Sequence, residues 1–374
     1  MTNIFKKTRS KTFYLRWVTT MILLSSLFLG IGFSIRSIPQ NTPALEGKEI
    51  RKEIIILIHG TVIPFPQPKS ILNSLKHSKN FIQNIHIEER TSSLRKNQPI
   101  SPKLGLDKIA TFNMNTNTTT KEIKYNPAKK ASHTFAKTYI NHLQHLYPTF
   151  NKKITFYNFG WNGMLSRGER QKAAADLYNQ IVAKFYNKKN KNPQITIIAH
   201  SHGGNVALNL AQQEEIQKNK VKIKHLILLG TPIQKETEKL VSHEIFETVY
   251  NIFSTGDKIQ IMDIFTSSKG SSRTFKNIRN MTKIKQISIK TEKVNPNHLE
   301  LWFFGWSKIS LYRHYFALHP YPVACYLPFI LHFLNNIEKN TQAKNTIFEI
   351  KIEKKENTIR LTDLKKQHSK AYTI

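Results

Sequence analysis

Residues 194–211, QITIIAHSHGGNVALNLA, constrain this chain more than any other stretch. Residues 195–198 form a short β-branched run behind Pro193, the pattern of a buried strand. The run ends at Ala199-His200-Ser201-His202-Gly203-Gly204, and good helix formers follow, with Val206, Leu208, Leu210 and Ala211 among them. Strand, tight turn through a serine, then helix is the pattern of a nucleophile elbow. So sharp a turn leaves no room for bulk two residues before or after the serine, where Ala199 and Gly203 stand. Gly204 lets the helix start close to the sheet. The hydroxyl is thereby thrown clear of the backbone, at the positive end of the new helix. Alanine occupies position 199 where the usual pattern has glycine, and a methyl group there is tolerable. Alone, the motif also fits a plain strand-to-helix turn, so the rest of the chain must supply a base, an acid and an oxyanion site.

Other stretches repeat the strand and helix patterns. Residues 53–61 (EIIILIHGT) are an all-apolar run of the kind found in a parallel strand covered on both faces, ending in His59-Gly60-Thr61. Strands are expected at 153–160, leading into Trp161-Asn162-Gly163, at 221–229, closed by Gly230-Thr231-Pro232, at 248–253 and at 285–290. Between them, residues 167–185 place Ala173, Leu177, Ile181 and Phe185 on one helical face. Helical patterns also cover 72–87 and 131–146, the latter with Phe135, Tyr139, Leu143 and Leu146, and a hydrophobic helix near 323–336 would cover the sheet. This alternation predicts an α/β fold: a mostly parallel, reduced sheet of about six strands with helices on both faces. Residues 66–150 are too many for one crossover and contain an Asn-, Thr- and Lys-rich stretch at 113–130, so they are expected to hold a cap or lid insertion. Residues 347–352 and 358–361 fit either a hairpin or a loose basic tail.

In open parallel sheets reactive groups gather at the carboxyl ends of strands. A serine hydroxyl needs a histidine to take and return its proton, and a carboxylate to hold the ring. Of only five aspartates (107, 176, 257, 263 and 363), Asp257 sits just past a strand end behind a glycine. Asp263 stands in reserve, and Glu292 and Glu300 are outside candidates. Among fifteen histidines, His298 follows the last clear strand by a short loop, in the required order after the acid. His314 and His319 lie later, in a segment crowded with Tyr and Phe. His200 and His202 flank the serine, but on a tight turn their side chains are expected to point away from its hydroxyl. The main-chain N–H groups of Thr61 and His202 are expected to face a developing oxyanion. His225, inside a strand, and Cys325, the single cysteine, read as structural.

Lysine and arginine number 57 against 24 acidic residues, a net charge of +33 over 374 residues. The basic residues are spread along the chain with no aromatic-interleaved patch, which argues for a coding bias or attraction to an acidic membrane surface and against nucleic-acid binding. Lys6, Lys7, Arg9, Lys11 and Arg16 precede residues 17–35, which carry no charge and are long enough to cross a bilayer. The basic flank predicts an uncleaved anchor with the bulk of the chain on the non-cytoplasmic side, in the periplasm of a bacterium. A cleaved signal segment and a secreted product is the alternative. The expected organisation is a basic terminus and anchor at 1–36, a linker at 37–50, a catalytic domain at 51–337 and a basic extension at 338–374.

The order His59-Gly60-Thr61, Ser201 elbow, Asp257, His298 resembles the α/β-hydrolase superfamily, in its lipase and esterase branch. The AHSHGG string, the strand running into Trp161-Asn162-Gly163 and the strand closing in Leu229-Gly230-Thr231-Pro232 add to the resemblance, which spans about 51–337. It implies a Ser201–His298–Asp257 triad, a two-amide oxyanion hole, an ester or lipid substrate, and neither metal nor cofactor. A thioesterase, amidase or acyltransferase with the same triad, or a non-catalytic scaffold on the same fold, remains open, as do any protein partners.

Overall fold

The computed structural model describes residues 51–61, 103–114, 130–148, 152–186, 193–261, 270–276, 278, 281–291, 295–302, 322–339, 347–355, 358–365 and 367–373. Its centre is β1 (Arg51–Ile58), whose uninterrupted apolar residues, Ile54 to Ile58, alternate between two cores. Ile55 and Leu57 enter one cluster, and Ile54, Ile56 and Ile58 the other, because successive side chains leave opposite faces of a strand. A strand buried on both faces has no reason to carry polar residues, which is why its pattern is continuous.

In chain order β1 is followed by β2 (Gly105–Asn113), α1 (Lys130–Leu146), β3 (Lys152–Gly160), α2 (Arg167–Phe185) and β4 (Gln194–His200). Helices α3 (His202–Leu208) and α4 (Leu210–Gln217) come next, then β5 (Ile223–Leu229), β6 (Phe246–Phe253) and β7 (Ile284–Thr291). The chain ends with α5 (Leu327–Lys339), β8 (Ile347–Lys355), β9 (Thr358–Asp363) and β10 (His368–Thr373). These strands form one sheet in the order β10-β9-β8-β7-β6-β5-β4-β1-β3-β2. The run from β8 to β3 is parallel throughout. Strand β2 pairs antiparallel with β3 at one edge, and β9 and β10 continue antiparallel from β8 at the other.

Helix α2 starts on a serine N-cap: the Ser166 hydroxyl accepts the Glu169 N–H at 3.1 Å. Its Ala173, Leu177, Ile181 and Phe185 are buried as their spacing predicts, in the same core as α3 and α4. On the other face Phe135 and Tyr139 of α1 pack with Phe329, Phe333 and Ile337 of α5.

The sheet has ten strands among the described residues, not about six. The four beyond the expected set are β2 and β8 to β10. Strand β2 (GLDKIATFN) mixes charged with apolar residues because, at the edge, it buries one face and pairs on one side only. With α1 it packs into the main core, so 105–113 and 130–146 belong to the α/β body rather than to a cap. The helix expected at 72–87 lies outside the described residues. The basic C-terminal segment is no loose tail. Its charged and polar residues, among them Glu349, Lys351, Glu353, Arg360 and Thr362, alternate with Phe348, Ile350, Ile352, Ile359 and Leu361, which are buried, as is Tyr372. No helix among the described residues is long and apolar enough to cross a membrane, and the 17–35 stretch lies outside them.

His225, on β5, is structural in its setting: its ring lies 5.8 Å from that of Tyr250. Burial first, and Lys224 second, pull its pKa down from 6.5 to about 4. Below pH 6.5 the unfolded chain therefore takes up a proton that the folded chain refuses. Stability from this group is complete above pH 6.5 and declines as the pH falls toward 4, by about 2 kcal/mol at pH 5. Buried His59 and His200, also shifted down, act in the same direction. Urea midpoints should drop between pH 6.5 and pH 5, and His225→Phe should flatten that drop.

Candidate active site

The turn between β4 and α3 forces Ser201 to φ 53°, ψ −132°. A side-chain-bearing residue in that region costs on the order of 1–3 kcal/mol and persists only when its surroundings impose it. Here they do. The Ser201 N–H donates to the Leu229 carbonyl at 2.9 Å, and the Gly204 N–H donates to the Ser201 carbonyl at 2.9 Å. A Cβ at Gly203 would overlap the His59 carbonyl, and one at Gly204 would overlap the Thr231 side chain. The glycines after the serine are thus contact points with the loops after β1 and β5.

The β1 loop lies against the elbow, since a Cβ at Gly60 would fall 2.6 Å from the Ser201 Cβ. His59 anchors this loop. Its ring stacks on Trp161 at 5.8 Å, its Nδ1–H donates to the Gly60 carbonyl at 2.6 Å, and its own carbonyl accepts the Trp161 Nε1–H at 2.9 Å. Burial holds its pKa below 6.5, so the ring is a neutral strut. Thr61 follows directly. His202 opens α3, where a first-turn N–H has no carbonyl behind it in the helix.

Asp257 and His298 are brought together. His298 Nδ1–H donates to Asp257 Oδ2 at 2.8 Å, with Asp257 fully buried and His298 7% exposed. A carboxylate can only accept, so the proton of the neutral ring sits on Nδ1 and Nε2 keeps its lone pair. The pair reaches the serine through β5: Leu229 holds the Ser201 N–H, and the next residue, Gly230, lies against the pair. Gly230 has φ 58°, and a Cβ on it would sit 2.9 Å from Asp257 Oδ2 and 3.3 Å from His298 Nδ1.

Residues that sequence reasoning passed over hold both loops. Asp257 Oδ1 accepts the Gln260 N–H at 3.1 Å, while the Gln260 amide donates to the Thr231 carbonyl at 2.7 Å. The Arg273 guanidinium donates to the Asp257 main-chain carbonyl at 2.7 and 3.2 Å, from Nη2 and Nε. His298 rides on a boxed turn. Asn297 Oδ1 accepts the N–H groups of Leu299 and Glu300 at 3.0 Å, and the buried Glu300 carboxylate accepts the Asn297 N–H at 2.8 Å. The Asn297-x-x-Glu300 spacing was readable as a capping box. The contacts of Gln260 and Arg273 join loops distant in sequence and left no local signal. Glu300 therefore braces the turn that carries His298. Asp263, Glu292, His314 and His319 lie outside the described residues, and Asp107, Asp176 and Asp363 sit within β2, α2 and β9. Cys325 is buried and unpaired, its thiol pushed up by that burial. No group of His, Cys, Asp or Glu suited to a metal ion occurs among the described residues.

A family model described as the PGAP1-like alpha/beta domain matches residues 50–296, a span that includes Thr61, Ser201, His202 and Asp257 and stops just before His298. No curated protein matches the chain. Among solved structures, a hyperthermophilic esterase from the archaeon Pyrobaculum calidifontis is similar at 10% identity, over 76% of this chain and 88% of that one. Its TM-score is 0.25, too low to carry any argument.

Because Gly230 combines a left-handed backbone with contact against both partners of the Asp257–His298 bond, Gly230→Ala should lower stability by about 1 kcal/mol or more. Thermal unfolding would measure the loss. A structure of the variant should show the Asp257–His298 bond lengthened or broken.

Proposed function

The chain belongs to the PGAP1-like alpha/beta domain family, and from that premise we propose that it is an α/β-hydrolase of the lipase and esterase branch, a serine hydrolase cleaving carboxylic esters, lipid-like ones above all. The observation that carries the proposal is the Asp257–His298 hydrogen bond, formed at the strand ends beside a serine held at φ 53°.

In the proposed mechanism Ser201 Oγ attacks the ester carbonyl carbon while its proton passes to His298 Nε2. Asp257 holds the ring in the tautomer that leaves Nε2 free and stabilises the imidazolium that forms. The carbonyl oxygen, now an anion, accepts hydrogen bonds from the N–H groups of Thr61 and His202. A lost donor of this kind typically costs ~100- to 1,000-fold in turnover. The tetrahedral intermediate collapses, His298 gives its proton to the departing alcohol oxygen, and an acyl-Ser201 ester remains. Water, deprotonated by His298, then attacks the acyl carbon and releases the acid, returning the proton to Ser201.

The uncharged 17–35 stretch behind a basic flank supports a location at a membrane, with the hydrolase domain on the non-cytoplasmic side. That position would suit a lipid substrate. Thioesterase, amidase or acyltransferase chemistry would use the same groups and differ in the leaving group or acceptor.

A fluorophosphonate probe should label the wild type and fail to label Ser201→Ala or His298→Ala. Asp257→Asn should retain the fold and lose roughly 10,000-fold in turnover of a nitrophenyl ester. Full hydrolysis by Ser201→Ala would overturn the mechanism.

A further inference from the structure

The residue before the serine does more than fill a turn. His200 ends β4 with its ring against the turn that carries His298. Its Nε2 lies 3.0 Å from the His298 main-chain carbonyl, and the two rings are 4.5 Å apart. On another side it stacks on Trp302, with centroids 5.5 Å apart and planes within 2°. Trp302 closes the boxed turn, its N–H donating to the Leu299 carbonyl at 3.1 Å. The other nitrogen, Nδ1, is buried without a hydrogen-bond partner and faces Gly60, 3.2 Å from where a Cβ on that residue would stand. One side chain, 3% exposed, therefore touches the turn bearing His298 and the loop bearing Thr61, and is covalently next to Ser201.

We infer that His200 is a positioning residue, donating from Nε2–H to the His298 carbonyl and so holding the base turn at a fixed distance from the serine elbow. A carbonyl can only accept, so the bond needs hydrogen on Nε2. The unpartnered, buried Nδ1 is then the bare nitrogen of a neutral ring. Desolvation, the larger cause, keeps the ring uncharged. Asn297 and Glu300 fix the shape of the base turn, Asp257 fixes the ring, and His200 fixes where the turn stands relative to Ser201.

The inference rests on the proposed Ser201–His298 chemistry, and its test separates the two. The full chain in detergent micelles is compared as wild type, His200→Leu, which removes the donor, and His200→Gln, whose amide nitrogen reaches about as far as Nε2. The far-downfield proton resonance of His298 Nδ1–H, assigned by its loss in Asp257→Asn, reports the geometry of the pair without any need for turnover. It should shift or broaden in His200→Leu and stay in place in His200→Gln. With a nitrophenyl ester, His200→Leu should lose about 100-fold in kcat at unchanged KM, the scale expected when a reacting group is misplaced by about 1 Å. His200→Gln should recover most of that loss. Wild-type resonance and kcat in a folded His200→Leu would overturn the inference, as would a His200→Gln no better than His200→Leu. If His200→Leu does not fold, His200→Gln decides alone: a displaced resonance overturns the inference and a retained one supports it. A wild type that hydrolyses no ester would sink the proposed function and leave the resonance to judge His200.

Discussion

The close approach of three backbones at Ser201 is the constraint on which the site depends. Strand β4 must become a helix in one residue, which forces a non-glycine residue to positive φ. That cost is met by locking the turn from both sides, through the Leu229 carbonyl on β5 and the His59 carbonyl after β1. A serine placed this way has little freedom to move toward a base. The loops around it must come to the serine, and their glycines show that they do. Gly60 abuts Ser201, Gly203 abuts His59, and Gly230 abuts the Asp257–His298 pair. Each excludes a side chain because the space is already occupied by the next component.

The loops past β6 and β7 solve a different problem. Asp257 and His298 lie on connections of the sort that vary most in a fold, yet their separation has to be held to tenths of an ångström. The structure surrounds each with hydrogen bonds that involve neither the serine nor a substrate. Gln260 and Arg273 tie down the acid's loop from two directions, one through the carboxylate and one through the main chain. The base turn is closed on itself by Asn297 and Glu300 and covered by Trp302. Precision at the site is therefore supplied by neighbours rather than by rigid secondary structure.

Much of this was legible. The parallel strands announce themselves because both faces are buried, and β4 with its serine carries a spacing that sterics dictate. The order of acid and base follows from the rule that reactive groups sit past strand ends, and that rule selected a pair the fold does bring into contact. The edges were harder to see. Strand β2 and the β8–β10 meander bury one face and pair in mixed directions, so their apolar residues are interleaved with charged and polar ones and carry no continuous strand signal. Gln260, Arg273 and the partners of His200 left no pattern at all, because those partners come from loops distant in sequence.

Two further histidines surround the proposed base, and their charge state bears on whether it can work. His200 lies with its ring 4.5 Å from that of His298, and His59 sits on the adjoining loop. Were either a cation, it would oppose the arrival of a proton on His298. At an effective dielectric of ~20 the repulsion at the His200 distance would be about 4 kcal/mol, enough to slow proton transfer by roughly a thousandfold. Burial removes that possibility by keeping both rings neutral, at the cost of stability in acid. The same desolvation that makes these rings poor bases makes them suitable struts: they supply a directed N–H and a flat packing surface with no competing charge. In the proposed mechanism, then, the chemistry requires one histidine to gain charge and its neighbours to stay neutral. The structure distinguishes them by a carboxylate at one ring and carbonyls at the others.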